Sequence, residues 1–118
     1  MFLFLMIFAK KCNPMNEFGL SEKSMKIISG IYEKYPSVLE VVVYGSRAKG
    51  NFREGSDIDM TIKGTPDFSH EDLLKINNDF YESELPYLVD ISDYSKLQNP
   101  DLIEHIDRAG KILYRRKN

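Results

Sequence analysis

Two aspartates with a single residue between them, Asp57 and Asp59, lie in a segment where polar and apolar side chains alternate. Because side chains point in turn to opposite faces of a strand, a strand over residues 57–63 places both carboxylates on one face. Carboxylate oxygens are the ligands that Mg²⁺ prefers, and two on one face can bind one ion or an adjacent pair. A solvated polar face without an ion is the alternative. Aspartate is a poor strand former, however, which favours a compensating cation.

A polar segment punctuated by glycine precedes these aspartates and directly follows an apolar run. It reads Gly45-Ser46-Arg47-Ala48-Lys49-Gly50. Backbone N–H groups at a junction between strand and turn can hold an anion, and the Ser46 hydroxyl adds a polar group. The Arg47 guanidinium can clamp a phosphate through two hydrogen bonds, and Lys49 adds a compact positive charge. A plain turn is the alternative for Gly45-Ser46 alone, but beside paired acids the segment predicts a nucleotide phosphate site, because a bound cation would bridge carboxylates and phosphates.

A third acid, Asp90, lies inside a later apolar segment, residues 87–92. If that strand neighbours the strand of the paired aspartates, Asp90 can face the same pocket and accept a proton from an attacking hydroxyl. A solvent-facing acid or an ion pair with Arg47 is the alternative. Asp93 is a rival acid that ranks lower, because its position is typical of a strand end or a helix cap.

The first elements that position these residues follow from the periodicity of apolar residues. Helical spacing predicts a helix over residues 22–35, which Pro36 ends. A β-branched run predicts a buried central strand over residues 38–44. Strands over residues 57–63 and 87–92 complete the set that carries the three acids.

The remaining elements are indicated by capping residues. Ser69 with Asp72 resembles a capping box and starts a second helix. Asn99-Pro100 is typical of a third helix start, and Gly110 of its end. Residues 112–114 predict a short last strand. The fold class is therefore α/β or α+β, a small mixed β-sheet covered by helices.

Composition limits the class of protein. The chain has 118 residues, and 16 Lys and Arg against 18 Asp and Glu give a net charge of −2. This length suits one domain with one core. The near-neutral charge argues against direct nucleic-acid binding, and the single cysteine excludes an internal disulfide or a cysteine-based zinc site.

The first nine residues are all apolar, and two lysines follow them. The run is too short to span a bilayer, which takes about 20 residues, and it lacks the basic start of a signal peptide. We expect residues 1–14 to be an extension outside a single domain over residues 15–118, with Met15 as the natural start. A packed extra strand or an interfacial anchor is the alternative. We expect no membrane association and a cytoplasmic location.

Two segments together resemble the signature of the DNA polymerase beta-like nucleotidyltransferase superfamily. They are Gly45-Ser46-Arg47-Ala48-Lys49-Gly50 and Gly55-Ser56-Asp57-Ile58-Asp59-Met60, followed by the later strand acid Asp90. More narrowly, the chain resembles the minimal nucleotidyltransferases, single-domain proteins that commonly pair with a HEPN-domain partner in toxin–antitoxin modules. The resemblance covers about residues 15–114.

The resemblance implies a role for each motif residue. Gly45 and Ser46 hold nucleotide phosphates, Asp57 and Asp59 bind Mg²⁺, with two ions expected, and Asp90 is the third acid at the metal. Arg47 matches a motif position that is often arginine in this group.

The implied reaction transfers a nucleoside monophosphate, usually AMP from ATP, to an acceptor hydroxyl. In the antitoxin members the acceptor is a tyrosine of the HEPN partner, so a hetero-oligomer is expected. Two alternatives stay open: an antitoxin that acts by complex formation without catalysis, and an enzyme that modifies a small molecule such as an antibiotic. The latter usually carries a further helical domain, for which this chain has no length after Asp90.

Overall fold

The computed structural model describes residues 15–117. The expected extension, residues 1–14, lies outside the described residues, so the domain boundary stays a prediction. Along the chain the elements are α1 (Glu22–Glu33), β1 (Val38–Tyr44), α2 (Ser46–Lys49), β2 (Ile58–Gly64), α3 (His70–Glu82), β3 (Val89–Asp93), a 3₁₀ turn (Tyr94–Lys96), α4 (Pro100–Ala109) and β4 (Lys111–Arg115).

The strands form one four-stranded mixed sheet in the order β3-β2-β1-β4. β1 pairs antiparallel with both β2 and β4, whereas β2 and β3 run parallel. Parallel neighbours require a crossover, which α3 provides. β1 is an inner strand, as its apolar run predicted, and the mixed sheet with helices confirms the predicted fold class.

The core lies between one face of the sheet and helices α1 and α3. Tyr32 of α1 is fully buried, stacks edge-on against Phe80 of α3 at 5.5 Å between ring centroids, and donates a hydrogen bond to Met60 Sδ at 3.4 Å. On the opposite face, buried Ile106 of α4 lies over β1, where the Gly110 backbone approaches Val42 closely. The functional residues lie on this second face, which α4 covers only in part.

The helix caps agree with the sequence patterns. Ser69 and Asp72 form a capping box, with the Ser69 hydroxyl accepting from the Asp72 N–H and the Asp72 carboxylate accepting from the Ser69 N–H. Asn99 caps α4, and Pro100 occupies its first turn. The box stabilises the start of the crossover helix, which sets β3 beside β2.

Strand boundaries differ slightly from the predicted ones. β2 begins at Ile58, so Asp57 lies immediately before the strand and not within it. β3 covers residues 89–93 because residues 85–88 form the turn that leaves α3, although the Ile58 N–H already donates to the Leu88 carbonyl. Asp93 ends β3 and caps the following 3₁₀ turn by accepting from the Ser95 N–H. In residues 15–117 no helix is long and apolar enough to cross a membrane.

Candidate active site

The strand register places two of the predicted acids side by side. Asp59 of β2 pairs with Asp90 of β3, and on its other side Asp59 pairs with Tyr44 of β1. These three residues therefore form a row across three strands on the face that α4 partly covers. Asp57, just before β2, lies close enough to Asp59 for its charge to act on that carboxyl. The sheet thus brings Asp90 beside the paired aspartates, from which it is distant in the sequence.

Gly45 lies directly against this row. It follows β1 with φ of +76° and ψ of −149°, a conformation that essentially only glycine adopts. A Cβ atom at this position would lie 2.7 Å from the Oδ2 atom of Asp59. The turn that starts at Gly45 therefore brings its backbone into contact with a carboxylate, an approach that any side chain on residue 45 would block.

Asp57, Asp59 and Asp90 are called the acidic row below, and their electrostatics favour a bound cation. The pKa of the Asp59 carboxyl is raised, first by burial and then by the neighbouring carboxylates of Asp90 and Asp57. Burial likewise raises the pKa of the Tyr44 phenol, and the charges of Asp90 and Asp59 add to the rise. In residues 15–117 no lysine or arginine forms an ion pair with any of the three aspartates. The row is a concentration of negative charge that a bound cation would relieve.

The donor set fits Mg²⁺ but does not enclose it. Among the residues that the structure describes, no three acidic, histidine or cysteine side chains converge closely enough to hold an ion between them. Mg²⁺ is commonly held by one or two carboxylates together with substrate phosphates and water. The arrangement suits an ion that arrives with a nucleotide, which would complete its coordination.

The rest of the predicted phosphate-binding segment forms the short helix α2. Ser46 begins it and Lys49 ends it, and Gly50 closes it in the left-handed conformation with its N–H donating to the Ser46 carbonyl. Ser46 is half-buried, and Lys49 is exposed. The charge of Lys49 is therefore accessible to an anion from solution.

Arg47 is the one predicted phosphate ligand that the structure places elsewhere. It is 2% exposed, and its guanidinium donates to the backbone carbonyls of Phe18, Gly19 and Ser56. A guanidinium committed to internal carbonyls and closed off from water is not placed to clamp a phosphate. The proposed ion pair between Arg47 and Asp90 is likewise not formed.

Tyr44 and His105 belong to the same neighbourhood, although the sequence patterns did not single them out. The His105 ring of α4 meets the Tyr44 ring edge-on, with centroids 6.4 Å apart. Through the strand register Tyr44 also lies beside Asp59. Only the register across three strands reveals this cluster; the adjacency of Tyr44 to Gly45 is the single signal in the sequence.

Comparison with known proteins adds to this geometry. Residues 26–118 match the family model described as "Polymerase beta, Nucleotidyltransferase". A curated relative from Haemophilus influenzae, named "Probable protein adenylyltransferase MntA", is 31% identical over 81 residues, which span 67% of this chain and 69% of the relative.

Solved structures agree on the fold. A toxin–antitoxin crystal structure with AMP-PNP superimposes with a TM-score of 0.63 at 19% identity, covering 79% of this chain and 74% of the other. The toxin–antitoxin structure MntA-HepT superimposes with a TM-score of 0.59 at 16% identity, covering 81% of this chain and 74% of the other. At these identities the likeness establishes the shared architecture.

Proposed function

The chain belongs to the polymerase beta nucleotidyltransferase family, as its two motifs predicted, and on that premise we propose that it transfers AMP from ATP to a hydroxyl of a protein partner. One observation carries the proposal: the register that pairs Asp59 with Asp90, while Gly45 packs against the Asp59 carboxylate. This arrangement sets the glycine turn beside the acidic row, the two parts that a nucleotide with its cation requires.

Each residue has a role consistent with its position. Gly45 and Ser46 hold the triphosphate through the turn after β1, and exposed Lys49 attracts its charge. Asp57 and Asp59 are the principal metal ligands, and Asp90 lies next to Asp59 as the third acid.

The chemistry is a single displacement at phosphorus. The acceptor hydroxyl gives its proton to Asp90, its oxygen bonds to the α-phosphorus of ATP, and pyrophosphate leaves. Asp90 is exposed on an edge strand, so an incoming protein side chain can reach it. Bound Mg²⁺, with two ions expected, would neutralise the triphosphate and orient it toward the acceptor.

We assign the acceptor to a tyrosine of a HEPN-type toxin partner, so that the chain acts as an antitoxin in a hetero-oligomer. The names of its relatives support this assignment, since one is named a probable protein adenylyltransferase and others were crystallised as toxin–antitoxin structures. A cytoplasmic location and no direct nucleic-acid binding accord with an ATP-dependent protein modifier.

The test is a transfer assay with defined components. The full chain is incubated with ATP, Mg²⁺ and the protein encoded by the adjacent gene, and the intact mass of that protein is measured. A gain of one AMP per modified tyrosine is expected. The double variant Asp57→Asn with Asp59→Asn should abolish the gain, whereas Asp67→Asn, an exposed aspartate outside the site, should not. An unchanged partner mass with the wild-type chain would contradict the proposal.

Antitoxin action by complex formation alone is the second candidate, and one observation favours a docking contribution. Leu88, two residues before Asp90, is 75% exposed, and Tyr81 at the end of α3 is 88% exposed. Large apolar side chains this exposed suit protein contacts. If the inactive double variant still neutralises the toxin in cells as well as wild type does, binding alone accounts for antitoxin action.

A further inference from the structure

Arg47 lies at the junction of three chain segments, two of which lead to acids of the candidate site. Its Nη1 atom donates to the carbonyls of Phe18 at 2.8 Å and Gly19 at 3.4 Å. Its Nε and Nη2 atoms both donate to the carbonyl of Ser56, at 3.2 and 2.8 Å. One side chain thus ties the turn before α1 to the loop that leads into β2.

Two aromatic rings enclose the same guanidinium. The Arg47 Cζ atom lies 5.1 Å from the ring centroid of Phe52 and 4.5 Å from that of Tyr87. Phe52 belongs to the loop before β2, and Tyr87 to the turn before β3. These contacts extend the connection to the strand that carries Asp90, and the electron-rich ring faces stabilise a cation that water does not reach.

Two of the connected segments lead directly to an acid of the site. Ser56, whose carbonyl receives two hydrogen bonds from Arg47, is bonded to Asp57. Tyr87 is three residues before Asp90. Arg47 itself is two residues after Gly45, in the four-residue helix α2. The guanidinium therefore touches none of the three acids and yet adjoins the chain that holds each of them.

We propose that Arg47 is a positioning residue, which fixes the Asp57 loop and the start of β3 against the Gly45 turn so that the carboxylates are set for metal binding. The inference rests on the proposed function, because it concerns the same metal site. Arginine suits this role because its planar fork spans carbonyls on opposite sides while its faces stack on the rings. A lysine has a single ammonium group and cannot make both kinds of contact at once.

The geometry separates this role from that of a phosphate ligand. A ligand to ATP would have donors open to solvent, whereas Arg47 is 2% exposed and its Nε, Nη1 and Nη2 atoms all donate to backbone carbonyls. Lys49, two residues on, is exposed and remains available to the anion. Replacing a positioning residue should lower the metal affinity, whereas replacing a phosphate ligand should raise the KM for ATP.

The experiment compares Arg47→Lys with Arg53→Lys in the full-length chain. Arg53 is an exposed arginine of the same loop, so its replacement is the matched control. Mn²⁺ binding is followed by electron paramagnetic resonance, first without nucleotide and then with a non-hydrolysable ATP analogue, and the KM for ATP and kcat are measured at saturating Mg²⁺. We expect Arg47→Lys to bind Mn²⁺ about tenfold more weakly, the lower end for loss of a residue that orients metal ligands. The KM for ATP should change little, and Arg53→Lys should match wild type in both.

Two results would overturn the inference. If folded Arg47→Lys binds Mn²⁺ as tightly as wild type does, Arg47 is not a positioning residue. If its Mn²⁺ affinity is unchanged and its KM for ATP is raised, Arg47 is a phosphate ligand. If wild type binds no Mn²⁺ either alone or together with a non-hydrolysable ATP analogue, the proposed function fails together with the inference. Should Arg47→Lys not fold, Phe52→Leu replaces it, because this variant removes one stacking face and keeps the hydrogen bonds. It should weaken Mn²⁺ binding about two- to fivefold, as loss of one cation–π contact implies, and an unchanged affinity would again overturn the inference.

Discussion

The carboxylate of Asp59 lies where the side chain of residue 45 would otherwise project: a Cβ atom on Gly45 would be 2.7 Å from Asp59 Oδ2. The Asp59 carboxylate can therefore occupy this place only because residue 45 has no side chain. Gly50, a few residues along, also has a positive φ of +83°, but no atom lies within 4 Å of the position of its Cβ. The two glycines form a natural pair for comparison.

Gly45→Ala should therefore inactivate the protein, whereas Gly50→Ala should not. Gly45→Ala should lose more stability than Gly50→Ala, because essentially only glycine adopts the Gly45 conformation. Gly50→Ala should lose about 1–2 kcal/mol, since an L-residue is disfavoured in the left-handed conformation. Only the first displaces the Asp59 carboxylate. Transfer activity at a temperature where both variants are folded by circular dichroism is the measurement. Equal residual activity in the two variants would contradict the role given to Gly45.

Asp59→Asn should make the metal-free protein more stable at neutral pH. Burial and the charges of Asp90 and Asp57 raise the pKa of Asp59 in the fold. A group whose pKa is raised on folding contributes its stability below its unfolded pKa and loses that contribution as pH rises through the folded pKa. At neutral pH the ionised carboxylate therefore lowers the free energy of unfolding, and asparagine removes the penalty.

Thermal denaturation with and without Mg²⁺ tests this prediction. Without the metal, the Tm of Asp59→Asn should exceed that of wild type. Adding Mg²⁺ should raise the Tm of wild type, because a ligand that binds only the folded state stabilises it, and should raise that of Asp59→Asn much less. Asp67→Asn, at an exposed aspartate outside the row, is the control that should follow wild type.

Lys49→Gln should raise the KM for ATP with little change in kcat. Lys49 is exposed, so its attraction for a phosphate is screened and worth at most about 1 kcal/mol, or roughly a fivefold rise in KM. The effect should shrink as salt concentration increases. Steady-state kinetics at two ionic strengths provide the measurement, with Lys96→Gln, an exposed lysine of the 3₁₀ turn, as control. A KM that does not depend on Lys49 at low salt would exclude it from the phosphate site.

Tyr35→Phe should destabilise the fold most at neutral pH. The Tyr35 hydroxyl donates to Asp79 Oδ2 at 2.6 Å, and this hydrogen bond is the main reason that the pKa of Asp79 is lowered. Stability from a lowered carboxyl pKa is present above the unfolded pKa and is lost as pH falls through the folded value. Removing the hydroxyl should cost about 1 kcal/mol at neutral pH and progressively less below about pH 4.

The alkaline side offers an independent check of the same pair. Burial and the Asp79 hydrogen bond raise the pKa of Tyr35 to about 12. The contribution of the Tyr35 hydroxyl to the free energy of unfolding is complete below the ordinary tyrosine pKa of about 10. It falls as the pH rises toward 12. Urea unfolding across both ranges should show wild type and Tyr35→Phe converging at each extreme. A difference that is constant with pH would contradict the assignment.

Much of the secondary structure and the family were predictable from local patterns. The apolar run of β1, the capping box at Ser69 and the Asn99-Pro100 start of α4 are local signals, and each element forms where its signal predicted. The boundaries of β2 and β3 shifted by one or two residues, because strand ends depend on pairing with a neighbour. The two motifs were enough to predict the nucleotidyltransferase family, which the family match confirms.

The sequence by itself determined which residue types were available: paired aspartates, a glycine-serine turn and a third acid. Only the tertiary structure decided which of them meet. The register that pairs Asp59 with Asp90 and Tyr44 arises from long-range strand pairing, which no local pattern encodes. The tertiary structure also buried Arg47 among carbonyls and rings, because a side chain this long takes its role from whatever packs around it, and packing joins parts of the chain that are distant in sequence.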